Sequence, residues 1–342
     1  MTSDSTQTGT EELGRRPVDD ATLALLLEVA GTPKPGNVDR NRDLADLRFE
    51  TFLGGAVGAR EGLELAAESD GAARIGRAFE RAVAGMAARA GTNAQFGCLL
   101  LLAPLVRASV EAGPAGDGLS PERVERVTEA TTVEDAVDFY RAFEHVGVAV
   151  EAPPPGAADL DVRRGSDAAP ALRERGTTLR DVMALSADPA SAADPDESGE
   201  ATADDRVPDR NAREWVEGFP RTFRAAGWIG RDAGPLTDRA ARAFLGLLAA
   251  GPDTLVATTH DPAVAREASE RAAELLGGPD GRVEALSGVG AIDDAAVHEA
   301  DLGAAEAVAA DFVDAGINPG TTADITCAAL YVALRRGAEV AP

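Results

Sequence analysis

Residues 19–36 read Asp19-Asp20-Ala21-Thr22-Leu23-Ala24-Leu25-Leu26-Leu27-Glu28-Val29-Ala30-Gly31-Thr32-Pro33-Lys34-Pro35-Gly36, and their spacing decides the fold class. Leu23, Leu26, Leu27 and Ala30 recur at i, i+3, i+4 and i+7, one face of an α-helix, and Gly31 with Pro33 beyond it ends the run. Working outward, Ile75, Phe79, Val83 and Met86 repeat that period, and further helices are expected over 95–112, 120–144, 236–250, 261–276, 293–315 and 321–336. Alternation of the strand type is confined to Val146, Val148 and Val150. Abundant alanine and scarce β-branched or aromatic clusters push the same way. The expectation is an all-α, bundle-like fold with a cleft between N- and C-terminal helical halves.

Residues 1–17 carry no apolar segment and are expected to be a disordered tail, leaving 18–338 as one all-α domain. Within it, 187–205 (ADPASAADPDESGEATADD) has no apolar periodicity and reads as a flexible acidic loop, and the Pro- and Gly-rich stretch 151–175 divides the two halves.

Composition narrows function. Fifty-eight acidic residues against 33 Lys plus Arg give a net charge of −25, which excludes a nucleic-acid partner, since phosphate binding needs a surplus of cations. The apolar run from Cys98 to Val106 is far short of the ~18 residues a membrane helix requires. With neither a membrane span nor a secretory signal, a cytoplasmic chain is expected, and a homo-oligomer is left open. Cys98 and Cys327 lack metal-site spacing and read as small buried hydrophobes. Lys34 is the only lysine. An acid-saturated surface almost purged of lysine points to a salt-loaded cytoplasm.

Four segments carry chemistry. In the first, prolines stiffen the loop Thr32 to Asn37 and present Lys34 either as a point charge for a phosphate or as a chance survivor on a turn, with Asp39, Arg40 and Asp43 following as acid/base or metal-ligand groups. In the second, Gly91 to Gly97 is a small-residue turn before a helix, where Asn93 and Gly97 serve an anion-binding end or Thr92 or Asn93 only caps. In the third, Asp253 and Thr254, with His260 further on, are acid and orienter, metal ligand and phosphate contact, or a helix cap. In the fourth, Asn318-Pro319-Gly320-Thr321-Thr322 makes a turn whose free amides suit a phosphate, with Asp324 in the first helical turn complementing the dipole or holding magnesium.

Together, Glu28, Thr32-Pro33-Lys34-Pro35-Gly36, Val38-Asp39-Arg40, the Asn93 to Gly97 turn, Asp253-Thr254 and Asn318-Pro319-Gly320 with Ala323-Asp324 resemble the triphosphoribosyl-dephospho-CoA synthase family from about Asp19 to about Arg336. The resemblance implies an all-α enzyme that moves the triphosphoribosyl part of ATP to the ribose 2′-hydroxyl of 3′-dephospho-CoA and releases adenine, making a prosthetic-group precursor. It implies Asp39, Asp43 and Asp253 as catalytic candidates and Asp39 and Asp324 as Mg2+ ligands. Thr32, Lys34, Gly36, Arg40, Asn93, Gly97, Thr254, His260, Asn318, Gly320, Thr321 and Thr322 are then the substrate and phosphate contacts. Bacterial members resemble N-T-H-K-G where this chain has Asn93-Ala94-Gln95-Phe96-Gly97, so a histidine and a lysine are missing. That loss motivates two alternatives: a related transferase with another nucleotide or pterin-like acceptor, or a non-catalytic nucleotide-binding protein.

Overall fold

Helices form every long element of the computed structural model, which describes residues 15–68, 73–112, 118–153, 156–187, 207–276 and 283–340. In chain order they are α1 (Pro17–Ala30), α2 (Phe49–Gly58), α3 (Arg60–Ala66), α4 (Ile75–Ala90), α5 (Phe96–Ala112), α6 (Pro121–Glu129), α7 (Val133–Ala142), α8 (Ala169–Arg175), α9 (Leu179–Ala187), α10 (Arg210–Glu217), α11 (Pro220–Arg231), α12 (Leu236–Ala250), α13 (Thr254–Thr259), α14 (Pro262–Glu274), α15 (Asp294–His298), α16 (Leu302–Ala315) and α17 (Gly320–Arg335). Two 3-10 turns, Ala158–Leu160 and Val162–Ala168, precede α8.

The last helix organises the rest. Its residues are buried on nearly every side, because α17 is wrapped by neighbours and packs on α1, α5, α11 and α12. Three bonds tie it along its length. Tyr331 donates its hydroxyl to Ser109 on α5 at 2.7 Å, Arg335 pairs with buried Asp20 on α1 at 2.8 Å, and Thr322 anchors the N-terminal end to the start of α13. A second knot of packing joins α4, α5 and α7, where Phe96 lies 5.0 Å from Phe79 and 4.9 Å from Phe143, edge to face.

Several expectations need correction. The 120–144 helix is two, because Thr132 and Asp135 form a reciprocal capping box that starts α7 afresh. The 293–315 helix is likewise split, with Asp301 capping α16. Val146, Val148 and Val150 form no strand: Val146 lies at a bend and residues 147–150 carry no regular secondary structure. Residues 15–17 are held rather than loose: Arg335 donates to the Arg15 carbonyl and α1 begins at Pro17. The rest of the expected tail, 1–14, and nearly all of the acidic loop, from 188 onward, lie outside the described residues. Within the stretch 151–175, expected to divide the two halves, the 3-10 turns and α8 cover Ala158–Leu160, Val162–Ala168 and Ala169–Arg175.

Candidate active site

Lys34 is completely buried, with its ammonium paired to Glu28 of α1 and donating to Asn37 Oδ1 at 2.9 Å. Asn37 in turn donates to Asn318 Oδ1 at 2.9 Å, immediately before α17. Burial, with a smaller contribution from the Asp39 charge, pushes the Glu28 carboxyl up, and Lys34 opposes this. The lone lysine is therefore not a charge presented to a ligand; it is the internal partner that lets Glu28 be buried, and both together brace the loop against α17. Gly36 completes this joint, because at φ 73° a Cβ there would lie 1.9 Å from the Ile317 carbonyl oxygen.

Asp39 is also internal. Its Oδ2 accepts from Thr32 Oγ1 at 2.9 Å, from the Lys34 amide at 3.2 Å and from Arg42 at 3.1 Å, while Oδ1 accepts from the Asn41 amide at 2.8 Å. Asp253 is fully buried and equally engaged: Oδ1 caps α13 through the Leu255 and Val256 amides, and Oδ2 accepts both the amide and the hydroxyl of Thr322 at 2.7 Å. It fastens the starts of α13 and α17 together rather than facing a ligand. Asp43 is exposed and accepts the Phe49 amide at 2.8 Å, Arg40 is exposed, and His260 is an exposed residue beyond the end of α13. His145 bonds Glu80 and His298 the Trp228 carbonyl, both away from these segments.

What these braces hold open is a cavity of about 310 Å³, ligand-sized. One wall is polar: Glu28, Asn37, Asn93, Gly97, Thr254, Asn318, Gly320, Thr321 and Asp324 all reach it. Thr32, Lys34, Gly36, Asp39, Arg40, Asp43, Asp253, His260 and Thr322 do not. Asp324 is its chemical centre. The Cys98 thiol donates to Oδ1 at 3.2 Å and Asn211 Nδ2 donates to Oδ2 at 2.8 Å, yet burial dominates and holds the carboxyl up at about 7. Gly97 makes the arrangement possible, since a Cβ there would fall 1.9 Å from Asp324 Oδ2 and 2.7 Å from Asn211 Nδ2.

Sequence reasoning missed α10, which supplies Asp209 and Asn211. Asp209 caps that helix with Oδ1 at 2.9 Å and 3.1 Å from the Asn211 and Ala212 amides, and burial pushes its carboxyl up. The next residue, Arg210, is buried; its guanidinium donates to Thr322 Oγ1 and to the Gly251 and Leu247 carbonyls, and burial lowers it to about 10. Trp215 donates to the Leu100 carbonyl at 3.2 Å and completes the attachment of α10 to α5. The available signal was local: Asp209 followed by an amphipathic run is a capped helix start. Cys98 is more than packing, because it both lines the cavity and bonds Asp324. The missing motif histidine and lysine correspond to Gln95, which donates to the Leu25 carbonyl, and to Phe96 in the aromatic knot.

Among the described residues no three His, Cys, Asp or Glu side chains converge as a metal site, and Asp39 and Asp324 do not form a shared ligand set. The donor set does not fit a resident metal cage. A cation that keeps most of its waters and its phosphate ligands needs no such cage.

Fold and cavity define an all-α protein with a ligand-sized, acid-lined chamber at the N-terminal end of its central helix. The model of the ATP:dephospho-CoA triphosphoribosyl transferase (CitG) family matches residues 15–199 and 193–341, and the chain belongs to that family of transferases. It is thus an enzyme of a class that uses ATP as a substrate. No curated protein matches the sequence. The solved structure of a candidate triphosphoribosyl-dephospho-CoA synthase from Archaeoglobus fulgidus is similar in fold, with a TM-score of 0.55 and 22% identity, over 83% of this chain and 99% of that one.

Proposed function

We propose that the cavity beside Asp324 is where the family's transfer takes place, with ATP as triphosphoribosyl donor, 3′-dephospho-CoA as acceptor and adenine as the leaving base. The observation that carries this reading is Asp324, a carboxyl with a pKa of about 7 in the cavity wall. Breaking the bond between ribose C1′ and adenine builds positive charge on the sugar and negative charge on the base, so a proton donor for the base lowers the barrier. Asp324 is still partly protonated near neutrality and is suited to give that proton. Asp209, another carboxylate of the lining, is made more basic by burial and takes the proton of the attacking 2′-hydroxyl.

Gly320, Thr321 and Thr254 lie where α17 and α13 begin, and their positive dipole ends favour the triphosphate. Mg2+ arrives with the nucleotide as part of the substrate. Asp253, Thr322, Arg210 and Lys34 keep the two helix starts in place and do not line the cavity, whereas Glu28, the partner of Lys34, also reaches its wall. The acid-rich composition fits a salt-loaded cytoplasm, and 18–338 works as one catalytic domain.

The test is adenine release from MgATP by purified protein in concentrated potassium chloride, with and without 3′-dephospho-CoA. Release that requires the acceptor supports the reading; release indifferent to it transfers the role to another acceptor, and no release at any salt or magnesium concentration overturns the reading.

A further inference from the structure

The rest of the cavity lining has a different character. It is built from the segment between α7 and α10, and Val148, Leu160, Val162, Val182, Met183 and Leu185 contribute aliphatic side chains to it, backed by the Phe96, Phe139 and Phe143 rings. Leu160, Val182 and Met183 belong to the main core, while Val148, Val162 and Leu185 pack against it half-buried and reach the cavity. Every ionisable carboxyl or amine that lines the cavity among the described residues is a carboxyl: Glu28, Glu151, Asp161, Asp209 and Asp324. Glu151 and Asp161 sit on this same segment and repel phosphate groups, whereas the methyl and methylene parts of an uncharged chain gain by leaving water.

We propose that this apolar wall receives the uncharged, amide-linked arm of the acceptor, the pantetheine part of dephospho-CoA, with the charged diphosphate left toward the helix starts of the polar wall. The assignment rests on the reading that transfer occurs in this cavity. Of the two substrates, only the acceptor carries a long uncharged segment, whose methyl and methylene groups match the aliphatic side chains and whose amides can pair with polar groups of the same segment, Ser186 among them. An arm seated there places the ribose of the acceptor on the Asp324 side, where its 2′-hydroxyl is needed. The same wall accounts for specificity, because burying apolar contacts along the arm distinguishes dephospho-CoA from a bare adenine nucleotide with an identical ribose.

The experiment combines binding and turnover on the full chain. Pantetheine is titrated by calorimetry into wild type, Leu185→Asp, Val148→Asp and the conservative Leu185→Met, and acceptor KM is measured for the same proteins with S-methyl and S-carboxymethyl dephospho-CoA beside the parent. The expected result is pantetheine binding by wild type and Leu185→Met, loss of binding in both aspartate variants, and acceptor KM raised by about tenfold or more in those variants. S-methylation is tolerated, while the carboxymethyl group raises KM by about tenfold. Affinity for ATP, measured separately, reports that the aspartate variants are folded. Should dephospho-CoA support adenine release while pantetheine fails to bind or the aspartate variants keep the wild-type acceptor KM, the arm site is overturned and the transfer reading stands. Pantetheine binding that the aspartate variants abolish, with no adenine release under any condition, upholds the site and overturns the transfer reading.

Discussion

Asp324 faces a conflict that a single carboxyl on a solvated helix would escape. Burial raises its pKa to about 7, so the folded protein holds a proton that the unfolded chain has already lost. Stability contributed by this group is present at acid pH and falls as pH rises from about 4 toward 7. Asp324→Asn removes the cost of charging, and its unfolding free energy at pH 8 is expected to exceed wild type by about 1–4 kcal/mol, with no gain at pH 4. The same substitution lowers kcat by about 100-fold to 10,000-fold, and wild-type kcat declines above pH 7 as the acid ionises. Denaturant melts at the two pH values and a pH–rate profile check both. Lys34 tests the opposite case, an ion pair deep inside. Lys34→Met strands Glu28 and is expected to cost about 3–5 kcal/mol, whereas the double variant with Glu28→Gln recovers most of it, as urea unfolding would show.

At the scale of elements, the site is an arrangement of helix beginnings. The starts of α10, α13 and α17 meet because Asp253 caps one and binds the next through Thr322, while Arg210 reaches Thr322 from the third. The start of α5 closes on them only through the bare backbone of Gly97. Gly97→Ala must push Asp324 away from Cys98 and Asn211; kcat is expected to fall by about 100-fold while unfolding free energy drops by about 1–3 kcal/mol. Thr132→Ala, which removes the α7 cap far from the reaction, is expected to cost about 1 kcal/mol and leave kcat untouched. Comparing the two variants separates damage to the site from loss of stability.

Across the whole molecule, a net charge of −25 over 342 residues repels itself at every salt concentration where it is not screened. The Debye length shrinks from ~10 Å to ~3 Å between about 0.1 M and about 1 M salt, so melting temperature is expected to climb over that range in potassium chloride. A flat or falling melting temperature in a calorimetric series would remove the link between acidity and a salt-loaded cytoplasm. The buried Glu28–Lys34 pair, shielded from solvent, does not contribute to this dependence.

Helical class, the extents of α5, α12 and α17 and the four motif segments were legible in the chain, because apolar period, caps and Pro-Gly turns are local properties that neighbouring residues impose. The segments that line the polar wall were legible as segments, but not the inward turn of Lys34 and Asp39 or the helix-fastening role of Asp253. Those were settled by partners distant in the chain: Glu28 for Lys34, Thr322 for Asp253, and for Asp324 the pair Cys98 and Asn211. The apolar wall, drawn from residues that looked like a divider and a loop edge, exists only once α7, α9 and the 3-10 turns close around it. Periodicity records which face of a helix is buried; which carboxyl is saturated by hydrogen bonds and which is left to titrate depends on what folding places opposite it.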